Sequence, residues 1–173
     1  MDATAHYRNL VALGREEFLA SAAAAVLVRH RVVDRDLAEG NTTLTLDADQ
    51  ETVEETVPVL REGAASEDDG LEVYPLTKKP GASFPDRITI GRTSNNDIVI
   101  VDSSVSRFHA YVRQDKGTWV VADAGSKNGS WVDSRPLEPR KERPLRSMSI
   151  VRIGDVDVTF YLAPDLFRAM GGR

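Results

Sequence analysis

The chain has 173 residues, 41% apolar and 28% charged, which is material for one globular domain with an appendage but hardly for two full domains. It has no cysteine, which excludes disulfides, thiolate metal sites and a cysteine nucleophile and fits a cytoplasmic setting. The net charge of −5 argues against nucleic-acid binding but leaves room for a small local basic pocket.

The N-terminus, MDATAHYRNL, has no basic region ahead of an apolar core and does not read as a secretory signal. The longest apolar run, Ala22 to Val28, is too short to span a bilayer. Residues 3 to about 30 read as helical, with Tyr7, Leu10, Val11, Leu13, Phe18, Leu19, Ala22 and Val26 on one stripe and a break at Gly14. Val26 to Val33 is rich in β-branched residues and reads equally as a strand.

Thr42 to Leu46 alternates like a short strand. Residues 47 to 72 carry ten acids against one base, Arg61, and read mainly as solvated surface. Val53, Val57 and Leu60 have helical spacing, interrupted by Pro58. Thr52 and Thr56 stand in this acidic stretch as candidate phosphorylation sites that could fold back onto the chain's own pocket. Ser66 to Gly70 has the composition of a linker. The expected division is therefore residues 1–66, mainly helical with the acidic stretch, and 67–173, a β-sandwich with a short tail.

After residue 70 short β-rich runs recur between Gly, Asp, Asn, Ser and Pro: 71–77, 87–92, 97–101, 108–114, 118–124, 129–133, 149–154 and 156–162. That spacing implies a mainly β, antiparallel sandwich. Trp119 and Trp131 lie within these runs and read as packing residues. Pro164 to Met170 reads as one or two helical turns.

Loops between the runs are dense in hydroxyl, amide and guanidinium donors. A phosphate dianion, with its three strong acceptor oxygens, calls for donors of this kind. In order along the chain stand Gly91-Arg92, Asn96 to Ile100, Ser106-Arg107-Phe108-His109, Trp119 to Asp123, Ser126-Lys127-Asn128-Gly129 and Ile153-Gly154. Over about residues 71 to 162 this order and spacing resembles the forkhead-associated (FHA) domain.

The resemblance implies the FHA-type sandwich of two twisted sheets and a non-catalytic adaptor that binds a phosphothreonine-containing protein, a Ser/Thr kinase or its substrate, in signal transduction. It implies that Arg92 grips the phosphate, Ser106 bonds it through its hydroxyl, Arg107 reaches phosphate or peptide, and Asn128 bonds the peptide backbone. Gly91, His109 and Gly129 match positions that support the site, with His109 bracing loops rather than catalysing. Lys127 stands where many members have threonine, so a neutral donor is replaced by a charge. Leu145 to Ile150 replaces a turn that often carries an acid and a glycine, remote from the phosphate.

Read without the resemblance, Asn128-Gly129 is a strong hairpin signal, Ser106 is a turn residue bonding its own backbone, and Arg92, Arg107 and Lys127 are solvated side chains. His109 three residues after Ser106 is not accompanied by a nucleophile-elbow motif, and no spacing of ligating residues suggests a metal site. We therefore expect no enzymatic activity, cofactor, metal or membrane insertion. The competing expectation is an FHA-fold scaffold that assembles partners without phosphate. The sequence leaves the oligomeric state open.

Overall fold

The computed structural model describes residues 2–31 and 70–173. The candidate strand 42–46, the helical spacing at 53–60, Thr52, Thr56 and most of the acidic stretch lie outside the described residues.

Helix α1 (Ala3–Leu13) starts at Asp2, whose carboxylate accepts the Thr4 N–H at 2.9 Å and so caps an otherwise orphaned donor. It ends at Gly14, where φ of 104° breaks the helix and α2 (Arg15–Ser21) begins. Glu16 and Glu17 sit in the first turn of α2, where the helix dipole favours negative charge. The helical pattern does not continue to residue 30. Instead Ala25–His30 forms strand β1. Its first four residues are all buried, because both faces of the strand are covered. Such a run carries no alternation, which is why the sequence admits helix and strand alike.

The remaining strands are β2 (Leu71–Pro75), β3 (Ile88–Gly91), β4 (Ile98–Val99), β5 (Ala110–Asp115), β6 (Thr118–Asp123), β7 (Ser130–Val132), β8 (Arg135–Pro136), β9 (Arg143–Pro144), β10 (Ile150–Ile153) and β11 (Val156–Leu162), followed by helix α3 (Ala163–Ala169). One sheet has the order β2-β1-β11-β10-β7-β8 and the other β4-β3-β5-β6-β9. Pairing between these strands is antiparallel, as expected, except that β3 and β4 run parallel. The short strands β8 and β9 have no β-rich signature in the sequence.

The main core lies between the sheets. Leu27, Val158, Phe160, Val151 and Ile153 meet Ile90, Ala110, Val112, Trp119 and Val121, with the Trp119 and Phe160 ring centroids 6.1 Å apart. A second core lies on the outer side of the first sheet, where Tyr7, Leu10, Phe18, Leu166 and Phe167 cover Val26, Val28 and Val73. Thr4 Oγ1 accepts the Val73 N–H at 3.1 Å and Tyr7 Oη accepts the Ala23 N–H at 3.0 Å, tying α1 to the sheet. Strand β1 pairs with β11 (Leu27 opposite Phe160) and with β2 (Val28 opposite Val73). A division at residue 66 thus runs between strands of one sheet.

Candidate anion-binding site

Three loops between strands of the two sheets meet at one end of the sandwich: residues 92–97 after β3, 100–109 before β5 and 124–129 between β6 and β7. They line an open cavity of about 970 Å³. Arg92, Ser106, Arg107, Lys127 and Asn128 all line it, so the structure gathers the five candidate contact residues in one place.

Aspartates fold the loops. Asp123 Oδ1 accepts the N–H groups of Gly125 and Ser126, both at 2.8 Å, and its Oδ2 accepts the hydroxyls of Ser126 and Ser130, both at 2.6 Å. Burial alone would raise its pKa, but these hydrogen bonds outweigh burial and hold the carboxyl below its ordinary value. Asp102 Oδ1 accepts from Ser104 N at 2.9 Å and Ser104 Oγ at 2.7 Å, and these bonds hold its carboxyl down as well. Asp97 accepts from Lys78 Nζ, Lys79 N and Thr89 N, which together outweigh its burial. The sequence reading passed over Asp102 and Asp123 as anchors. An Asp two or three residues before a Ser or Gly, the pattern of an Asx turn, was the available signal.

His109 is fully buried and joins two loops. Its Nδ1 accepts the Ser106 N–H and its Nε2 lies 2.9 Å from the Gly129 carbonyl. The pair fixes the tautomer with the proton on Nε2. Burial pushes its pKa below the ordinary value, against the Gly129 carbonyl and Asp123. The imidazole engages the backbone of Ser106 rather than its hydroxyl, so the two do not form a nucleophile–base pair. Ser106 Oγ instead accepts the Lys127 N–H at 3.0 Å, which leaves the hydroxyl proton free to donate.

Gly91 stands where the backbones nearly touch. A Cβ there would lie 2.1 Å from the Arg107 carbonyl oxygen. That carbonyl accepts from Asn96 Nδ2 at 2.6 Å and Thr93 Oγ1 at 3.0 Å. Arg92 follows, with its N–H on the Ser106 carbonyl and its Nε on the Val105 carbonyl at 3.1 Å. Both terminal guanidinium nitrogens thereby remain available to a ligand. Asn128 Nδ2 donates to the Ser104 carbonyl at 2.8 Å.

Asn128-Gly129 is not a hairpin turn. β6 and β7 belong to different sheets, and the segment crosses between them. Gly129 alone has positive φ, 84°, while the two-residue turn at Asp133-Ser134 uses positive φ at both positions. Trp119 is buried as expected. Trp131 is half-buried beside Ile150 and Arg152, with its ring against Gly129.

Arg92, Arg107 and Lys127 all line the cavity, and none is ion-paired with a carboxylate among the described residues. Several cations elsewhere are matched, Lys78 with Asp97, Arg87 with Asp86, Arg113 with Glu142 and Arg152 with Asp157. Three unmatched cations around hydroxyl and amide donors make a site for an anion.

Residues 88–154 match the FHA domain family model. This segment is an FHA domain. Similar proteins include an FHA domain-containing protein of Arabidopsis thaliana, 33% identical over 46% of this chain and 20% of its own length. An oxoglutarate dehydrogenase inhibitor of Corynebacterium diphtheriae is 40% identical over 44% of this chain and 51% of its length. The chain thus spans about half, or less, of these relatives. A solved structure of Mycobacterium tuberculosis EmbR in complex with a low-affinity phosphopeptide has 31% identity and a TM-score of 0.45 over 53% of this chain and 22% of that one. The FHA match takes in every candidate residue of the site, from Gly91 to Gly129, but leaves β1, β2, β11 and the three helices outside it.

Proposed function

We propose that this FHA domain binds a partner protein through a phosphorylated threonine, as a non-catalytic adaptor in a Ser/Thr kinase pathway. The carrying observation is the convergence of Arg92, Arg107 and Lys127, without carboxylate partners among the described residues, on one open cavity. In this reading the terminal nitrogens of Arg92 and the hydroxyl of Ser106 donate to the phosphate oxygens. Arg107 and Lys127 add charge at the rim, Lys127 in place of a hydroxyl donor. Asn128, held through Nδ2, offers Oδ1 to a peptide N–H. Gly91, His109 and Gly129 hold the three loops in register. A relative named as an oxoglutarate dehydrogenase inhibitor is in keeping with a regulatory binding role.

The test is a titration of phosphothreonine peptides against the wild type and Arg92→Ala. Losing a charge-assisted phosphate contact costs about 1.5–3 kcal/mol, on the order of ten- to a hundredfold in affinity. Phosphothreonine binding that is lost in Arg92→Ala and in the unphosphorylated peptide supports the reading. Partner binding unaffected by either change would sink it in favour of a phosphate-independent scaffold.

A further inference from the structure

Ser104 lines the anion cavity yet is itself buried, and it is held from three sides. Its carbonyl accepts from Asn128 Nδ2, and its hydroxyl oxygen accepts the Asp155 N–H at 2.9 Å. Its own N–H and O–H both donate to Asp102 Oδ1. Gly154 packs so closely against the same carbonyl that a Cβ there would stand 2.5 Å away. The turn at Asp102 therefore fixes the oxygen on which the Asn128 amide hangs. The direction in which Asn128 presents its Oδ1 follows from that anchor.

Asp102 in turn is held from outside the FHA match. Its Oδ2 faces Arg29 Nη2 at 3.6 Å, and no other cation pairs with it among the described residues. Arg29 stands on β1 two residues after Leu27, so it shares the face of the strand that looks into the main core. Its side chain is only 16% exposed. Its Nη1 is buried 3.8 Å from Glu72 Oε2 and has no hydrogen-bond partner among the described residues. Glu72 is already engaged by the Tyr74 hydroxyl at 2.6 Å and by Arg31 at 3.0 Å. A buried donor without a partner weakens a fold, so hydrogen bonding does not account for an arginine at this position. The charge contact with Asp102 does, in a partly buried place where salt screens little.

We infer that Arg29 is a positioning residue for peptide binding: from the N-terminal strand it holds Asp102, and through the Asp102–Ser104 turn it sets Asn128 toward the peptide backbone. The inference rests on the phosphothreonine reading. It gives β1, which lies ahead of the FHA match, a part in ligand binding besides its part in the core.

The experiment uses the full chain and the phosphothreonine peptide that binds the wild type best in a degenerate library. Affinity and melting temperature are measured for the wild type, Arg29→Met, Arg29→Lys, Asp102→Asn and the double variant Arg29→Met/Asp102→Asn. Replacing a mostly buried charge by an apolar chain of similar length is often neutral for stability, so Arg29→Met should melt close to the wild type. It should nevertheless bind the peptide about three- to fivefold more weakly, the worth of one partly exposed ion pair. Arg29→Lys, which keeps the charge, should recover the loss. In the Asp102→Asn background Arg29→Met should cause no further loss. The side-chain amide signals of Asn128 in an NMR spectrum should move in Arg29→Met and return in Arg29→Lys. Wild-type affinity in Arg29→Met, or Asn128 signals that stay in place, overturns the inference while leaving the phosphothreonine reading standing. So does a loss that lysine does not recover, or one equally large without the Asp102 charge, since either marks packing or long-range charge alone. Failure of Arg29→Met to fold overturns it too, because the role is then structural. A wild type that binds no phosphothreonine peptide overturns both readings.

Discussion

The imidazole of His109 accepts the backbone N–H of Ser106 at 2.9 Å, and this bond couples the candidate phosphate serine to the protein interior. Through its other nitrogen the same ring reaches the Gly129 carbonyl, so one buried side chain holds the serine loop and the asparagine loop at a fixed distance. Protonating Nδ1 would remove the acceptor and leave the Ser106 N–H facing a donor.

Stability should therefore fall as pH drops. The pKa of His109 is lower in the folded chain than its ordinary 6.5, so the unfolded chain takes up the proton first. The contribution is fully present above about 6.5 and is lost progressively as pH falls toward the folded value. Asp97, Asp102 and Asp123, whose pKa values are lowered by folding, add a second loss below their ordinary 3.8. Melting temperatures from pH 8 to pH 3 should show two descending phases, and His109→Gln should lack the first. A flat profile between pH 7 and 5 would refute the assignment.

Gly91→Ala should unfold the site locally. Its Cβ would collide with the Arg107 carbonyl, a backbone atom that cannot rotate away. Forcing the two backbones apart costs on the order of 3 kcal/mol. Gly154→Ala meets a similar obstacle, since its Cβ would stand 2.5 Å from the Ser104 carbonyl at a φ of 60°. Urea denaturation should report both losses. Phosphopeptide titration should show weakened binding in both variants, because Arg107 and Ser104 belong to the loop that carries Ser106.

Met148→Gly should stabilise the protein. Met148 is 66% exposed and adopts φ of 75°, a conformation in which a Cβ crowds the following carbonyl. Glycine removes that strain and gives back part of the gain through the greater freedom of the unfolded chain. A net gain of about 0.5–1 kcal/mol is expected from denaturant midpoints. The position lies in the turn where Leu145 to Ile150 departs from the acid-and-glycine pattern, so the strain is the local cost of that departure.

A chain beginning at residue 67 should not fold cooperatively. It would lack β1, leaving the edges of β2 and β11 unpaired and removing Leu27 and Ala25 from the main core. It would also lose Arg29, whose guanidinium lies 3.6 Å from Asp102, the aspartate that shapes the Ser104 loop. Calorimetry of this truncation should show no sharp transition, while a sharp one would establish residues 67–173 as an independent folding unit. Within the full chain, Phe18→Ala should cost about 3–5 kcal/mol, since Phe18 is completely buried.

Much of the β-rich half was legible because its signals are local. Short runs of β-branched and aromatic residues mark β5, β6, β10 and β11 within their own residues, and the candidate site is spelled out by short donor-rich loops. His109 was assigned to bracing from the resemblance, and the geometry supplies the means, two hydrogen bonds from one neutral ring. Asn128-Gly129 misled for the converse reason. Its turn propensity is genuine, but whether the next strand pairs with the last one or crosses to the other sheet depends on partners far along the chain.

By itself, then, the sequence determined the class of the fold, the positions of most strands and the residues that crowd the cavity, since each follows from neighbours a few positions apart. Only the tertiary structure decided that Ala25–His30 is an inner strand, that the helices roof a second core, and that Phe84 meets Phe108 beside the anion site. Those relations join residues from 24 to more than 130 positions apart. They are fixed by how two covered faces and two separate loops pack together, which no local period records.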